Sequence, residues 1–167
     1  MEDKRRVTIP VEMIFWSIAL PGFGQLLNRQ YIKALLLVLL EFLINLQGGI
    51  NLAIVHSFQG NIDLAIQTVD YRWIMFYPCL YVFAMWDAYI SAKRIAKIKD
   101  TPFESIPFSF AAYITTIGVI YSNRPIFSIT FGPIFTPIIA IFIGFFLGGI
   151  LKKFLLRKYA SPPEQLV

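Results

Sequence analysis

Residues 19–42 read ALPGFGQLLNRQYIKALLLVLLEF, and the fold follows from how this run divides. Its second half opens a stretch from Ala34 to Val55, 22 residues with a single charge, Glu41. A helix crossing about 30 Å of hydrocarbon needs about 20 residues at 1.5 Å each, so this half is long enough to span. The first half is equally apolar but holds Pro21, Gly22 and Gly24. Proline removes a backbone donor and clashes with the preceding turn, and glycine weakens a helix by about 1 kcal/mol. Residues 11–28 are therefore expected to form a re-entrant or interfacial helical hairpin. Broken backbone at membrane depth must be shielded by protein or by a wet cavity.

The same ruler finds three more stretches. Trp73 to Ala92 carries only Asp87, Ser105 to Asn123 carries no charge, and Pro125 to Leu151 carries none in 27 residues. The expected fold class is all-α: a polytopic helical membrane bundle of four transmembrane helices, at about residues 34–55, 73–92, 105–123 and 126–151, plus the N-terminal hairpin. Residues 1–160 are read as a single integral membrane domain and 161–167, with Pro162 and Pro163, as a loose cytoplasmic tail.

Composition agrees. Apolar residues make up 57% of the 167 and charged ones 15%, whereas a soluble domain carries about 25% charged residues. That excludes a soluble enzyme and a disordered chain. The net charge of +5 is a topology signal, because Lys and Arg accumulate on the cytoplasmic side. If the first segment returns to its own side, 13 of the 15 basic residues lie inside and only Arg72 and Arg124 outside. Both termini are then cytoplasmic, with an outer loop near His56 to Arg72. The basic residues sit in separate inner segments, not on one folded face, so no nucleic-acid partner is expected. The lipid bilayer is the expected partner. Lys4, Arg5 and Arg6 before the apolar run Met13 to Leu20 resemble a secretory signal, but no small-x-small cleavage site follows, and the segment is read as retained.

One cysteine, Cys79, and one histidine, His56, leave no disulfide and no zinc cluster, and no phosphate loop, HExxH or GxSxG is present. No catalytic residue, metal or cofactor is expected. Cys79 is read as a small buried hydrophobe and His56 as a solvated imidazole at its helix end.

Two rows of small residues at spacing four mark close helix contacts: Gly132, Thr136, Ala140, Gly144 and Gly148 in the last span, preceded by Ser128, and Ala84, Ala88 and Ala92 in span 73–92. They suit either packing within the bundle or the interface of a homo-oligomer or membrane-protein partner. Pro133 and Pro137 predict a kink or an unwound start to the last span. Glu41, Asn45 and Asp87 are the polar candidates inside the membrane. Glu41 lies about 12 Å past Lys33 and Asp87 about 9 Å before Lys93, so the two carboxylates are expected at one level near the cytoplasmic face. An acid there must face protein, water or a cation. Either the pair responds to protons or cations, or a snorkelling Arg29, Lys33, Lys93 or Arg94 neutralises it.

Pro21, Gly22, Gly24, Tyr31, Lys33, Trp86 and Asp87 give residues 13–95 a pattern that resembles the bacterial TM-two domain type of small membrane protein. Trp and Asp are adjacent here, whereas that family spaces them. The resemblance implies a small bacterial multi-pass membrane protein of the cytoplasmic membrane. The function expected is a non-enzymatic packing or partner-binding module; the alternative is a small transporter or channel component with a proton- or cation-sensitive acidic pair.

Overall fold

The computed structural model describes residues 9–159, and its regular elements are all helices. In order they are α1 (Pro10–Ala19), α2 (Phe23–Leu27), α3 (Tyr31–Gly48), α4 (Ile50–Phe58), α5 (Ile62–Thr68), α6 (Tyr71–Ile74), α7 (Tyr77–Ile95), α8 (Ile106–Ile120) and α9 (Gly132–Tyr159). Three are long and apolar enough to cross a membrane: α3, the run Tyr71–Ile95 that joins α6 to α7, and α9. Large apolar side chains cover their outward faces, among them Leu35, Leu39, Phe42 and Leu46 on α3 and Phe142, Phe146 and Ile150 on α9. So broad an apolar surface fits lipid as the surrounding medium.

The helix breaks where Pro21 and Gly22 stand. Gly22 has φ +107°, and a Cβ there would lie 2.7 Å from the carbonyl oxygen of Ala34. Gly24 marks the point where α1, α2 and α7 touch, since its Cβ would meet Ser17 Oγ at 2.5 Å and Ala88 Cβ at 2.7 Å. Met13 packs on Ala88 and Ala92, while Ile18 shares a cleft with Tyr81, so α1 runs antiparallel to α7. The alanine row of α7 is thus covered by the N-terminal segment.

The glycine row of α9 is covered by α8. A Cβ on Gly144 would stand 2.6 Å from Ala111 Cα, one on Gly148 2.6 Å from Pro107 Cα, and Gly118 of α8 sits as closely on Ala140. Contact therefore runs backbone to backbone along an antiparallel pair, which only small residues permit. At the other end, Gly132 abuts Ile62 of α5, and Phe58 of α4 packs edge-on against Phe135.

Several boundaries differ from the sequence expectation. The stretch 34–55 is not one helix: α3 stops at Gly48, Gly49 takes φ +66°, and α4 restarts at Ile50. A count of uncharged residues does not register that Gly49 forms a left-handed C-cap. The last helix begins at Gly132, not near 126, because Phe127 and Ser128 hold positive φ in a tight turn closed by the Ile126–Ile129 bridge. Ser128 is therefore off the row. This helix then runs on through Lys152, Lys153, Arg157 and Lys158 to Tyr159, beyond the uncharged stretch. Pro133 falls in its first turn, where the missing N–H costs nothing, and Pro137 lies inside. Helix α8 covers 106–120 of the expected 105–123, and the expected outer loop from His56 to Arg72 is mostly helical, in α4, α5 and α6. Cys79 is exposed on α7 and not buried. The basic cluster Lys4, Arg5 and Arg6 and the tail at 161–167 lie outside the described residues.

Neighbouring glycines in α9 give a direct check of the α8 contact. Gly148→Ala drives a methyl into Pro107 and Phe110 and is expected to cost about 1–3 kcal/mol through overpacking. Gly149 has open space around its Cβ position, so Gly149→Ala is expected to be neutral or to stabilise by up to about 1 kcal/mol. Thermal unfolding in detergent reads both.

Candidate functional site

The two acidic candidates inside the bundle have opposite surroundings. Asp87 is closed on both oxygens: Lys33 Nζ donates to Oδ1 at 2.6 Å, and Gln25 Nε2 donates to Oδ2 at 3.1 Å. Gln25 is fully buried and also donates to the carbonyl of Ala84 at 2.9 Å, while Asn28 Nδ2 donates to the carbonyl of Ala88 at 2.8 Å. These two amides stitch the broken segment onto α7. Sequence reading passed over both; the signal was their spacing of three just after Gly24, which puts them on one helix face. Of the basic residues within snorkelling reach, Lys33 takes the role.

Lys93 is engaged elsewhere. It is buried, ion-paired with Glu104 and 3.7 Å from Asp100, and Glu104 Oε1 also accepts from the backbone N–H of Thr101 at 3.1 Å and from the Thr101 hydroxyl. This clamp fixes the turn from α7 to α8. Burial alone would raise the Glu104 carboxyl, but the hydrogen bonds from Lys93 and Thr101 outweigh it and hold the group below its ordinary 4.5. A carboxyl lowered by folding stabilises the fold above its unfolded value, and that stabilisation is lost as pH falls through the folded one. Unfolding temperature in detergent should therefore drop as pH is taken below 4.5, and Glu104→Gln should flatten that acid limb.

Glu41 is left open. It is not joined to Asp87: it bonds to Tyr77, which precedes Asp87 by ten residues or about 15 Å along α7, so the expected shared level does not form. Its Oε1 accepts from Asn45 Nδ2 at 3.2 Å and from the Tyr77 hydroxyl at 3.3 Å. Among the described residues, Oε2 receives no hydrogen bond. Asn45 Nδ2 also donates to Asn51 Oδ1 at 3.0 Å, and the Asn51 backbone N–H donates to Asn45 Oδ1 at 3.2 Å. The sequence pointed to Asn45, one turn from Glu41, but not to Asn51, whose approach depends on the turn at Gly49.

Together Glu41, Asn45, Gly49 and Asn51 line a cleft of about 370 Å³, along with Phe42, Leu46 and Leu52. The C-terminal end of α3, where the helix dipole places partial negative charge, lies at this cleft. One carboxylate, two amide oxygens with a spare lone pair each and a helix C-terminus all favour positive charge. Glu41 is the one acidic residue lining it, and a single +1 charge would balance it where dielectric is low.

The other sequence candidates lie in packing contacts or at the break. Ala84 and Ala88 carry the carbonyls that receive Gln25 and Asn28, Pro21, Gly22 and Gly24 form the break, and Gly132, Thr136, Ala140, Gly144 and Gly148 lie buried on α9. Asp87→Asn, which removes the charge opposite Lys33 and turns an NH2 toward one of the two donors, is therefore expected to lower stability by about 1–2 kcal/mol. Glu41→Gln, which keeps an oxygen for Asn45 and Tyr77, is expected to cost less than about 1 kcal/mol. Parallel thermal unfolding curves of the two variants separate these roles. Compared with protein-family models, with curated proteins and with solved structures, the chain matches none.

Proposed function

We propose that this chain is a small non-enzymatic multi-pass protein of a bacterial cytoplasmic membrane, a transporter or channel component in which Glu41 takes up and releases a proton or a monovalent cation. The observation that carries the reading is the contrast between two carboxylates: Asp87 is satisfied by Lys33 and Gln25, while among the described residues Glu41 presents an unpartnered oxygen on a cleft it shares with Asn45 and Asn51 at a helix break. In membrane transporters, half-helix C-termini and unwound backbone at such breaks coordinate the coupling ion. The packing-module reading has less support, because both small-residue faces are already covered within the chain.

The topology that belongs to this reading has four crossings, α3, α7, α8 and α9, with α1 and α2 re-entering from the cytoplasmic side. Met13 and Asn28 both lie against Ala88, so the segment enters and leaves toward the Lys93 end of α7. Helix α8 is short, but it follows α9 antiparallel from Pro107 at Gly148 to Gly118 at Ala140. The bacterial setting rests on the TM-two resemblance, and the cytoplasmic placement of the termini on the distribution of basic residues.

Two experiments test the proposal. In a Cys79→Ala background, an impermeant maleimide on intact cells should label Leu64→Cys and spare Ile98→Cys; the reverse pattern would invert the topology. In liposomes under an imposed proton or sodium gradient, the wild type should pass ions above the level of empty vesicles and Glu41→Gln should fall to it, while Asp87→Asn retains flux per folded molecule. Wild-type flux equal to empty vesicles, or flux untouched by Glu41→Gln, would contradict it.

A further inference from the structure

Helix α9 is longer than a crossing requires. From Gly132 to Leu151 it carries no charge for 20 residues, or about 30 Å, which matches the hydrocarbon layer. Eight residues remain, about 12 Å of helix, and they include Lys152, Lys153, Arg157 and Lys158. The headgroup layer adds about 5–7 Å on each side, so the four cations stand within it or at its outer edge. Tyr159 is exposed at the same end, where an amphipathic ring favours the interface.

The turn from α7 to α8 lies at that level too. Gly148, one turn before Lys152, packs on Pro107, and the Phe103 ring sits 6.3 Å from the ring of Tyr159. Lys97 and Lys99 are exposed on this turn. Its two acids are turned elsewhere, because Asp100 and Glu104 both face the buried Lys93. Among the described residues, none of Lys97, Lys99 and the four cations of α9 is ion-paired. Two segments distant in sequence thus bring six positive charges to one end of the bundle, and the clamp on Lys93 keeps the local carboxylates from offsetting them. Crowded like charges repel unless an anion stands among them, and the anion of the headgroup layer is phosphate.

We infer that this end of the bundle gathers anionic phospholipids of the phosphatidylglycerol class, whose phosphates seat among the cations of α9 and of the α7–α8 turn. A zwitterionic lipid carries its own ammonium next to the phosphate, which these lysines repel, so the surface discriminates by net headgroup charge. The inference goes beyond the ion site and does not rest on it, since it requires only that α9 crosses the membrane.

The test uses the full chain in phosphatidylcholine vesicles with spin-labelled phosphatidylglycerol or spin-labelled phosphatidylcholine at trace level. Electron paramagnetic resonance reads the fraction of each lipid held against the protein. Phosphatidylglycerol should be held about fivefold more strongly at low salt, the worth of one charge at the membrane surface. That preference should vanish in 1 M salt, where charges are screened beyond about 3 Å. Replacing Lys152, Lys153, Arg157 and Lys158 together by Gln should bring the two lipids close to parity, while Arg124→Gln, at the opposite end of α9, should leave the preference intact. If the variant with all four replacements does not fold, as circular dichroism would show, the salt series on the wild type carries the test. Equal retention of the two lipids, a preference that survives 1 M salt, or one unchanged by the four replacements would overturn the inference. So would loss of the preference on adding millimolar glycerol phosphate, which would assign the cations to a free phosphate ester.

Discussion

A backbone that breaks inside an apolar medium leaves peptide groups without partners, and each unsatisfied group there costs several kcal/mol. In this protein one crossing point holds the segment broken at Pro21 and Gly22 against α7. Gly24 has no side chain to hold α2 away from α7, so Gln25 and Asn28 come close enough to donate to the carbonyls of Ala84 and Ala88. The same approach requires alanine at 88, since a larger residue would separate the helices. It also delivers Gln25 to Asp87, and the turn after Asn28 delivers Lys33 to the opposite oxygen. Thus the position of α3, the neutralisation of Asp87 and the burial of the alanine face are consequences of a single contact between small residues.

The far side of the bundle repeats the principle without polar help. Helices α8 and α9 meet backbone to backbone through Gly118, Ala140, Gly144 and Gly148, and among the described residues no side-chain hydrogen bond joins them. Both interfaces use up the faces from which an oligomer would most readily form. What remains outward is large and apolar, and it suits lipid.

Uncharged length was enough to find three helices able to cross, and the pairing of Pro21 with Gly22 and Gly24 was enough to find the first break. Both signals are local. The second break at Gly48 and Gly49 was not found, although its residues are as suggestive, because uncharged sequence continues on both sides and nothing local marks the change of direction. The small-residue rows were legible as faces but not as to what would cover them, since that depends on how distant segments meet. For the same reason Glu41 and Asp87 were expected together. Their depths were counted from basic residues taken as boundary marks, yet Lys33 reaches into the bundle to Asp87, and Lys93 is buried against Glu104. Lysines that pair inside the protein make poor rulers.

What sets Glu41 apart is therefore a difference in satisfaction, not in depth. Both oxygens of Asp87 accept a hydrogen bond, whereas among the described residues Glu41 keeps one oxygen uncommitted beside Asn45, Asn51 and the negative end of α3. The most direct measurement is infrared difference spectroscopy of the reconstituted protein as sodium is exchanged for a large organic cation and as pH is stepped. The account predicts carboxyl bands that change with the exchange and are missing from the Glu41→Gln spectra, with the Asp87→Asn spectra retaining them. Difference spectra that are the same for wild type and Glu41→Gln would contradict it.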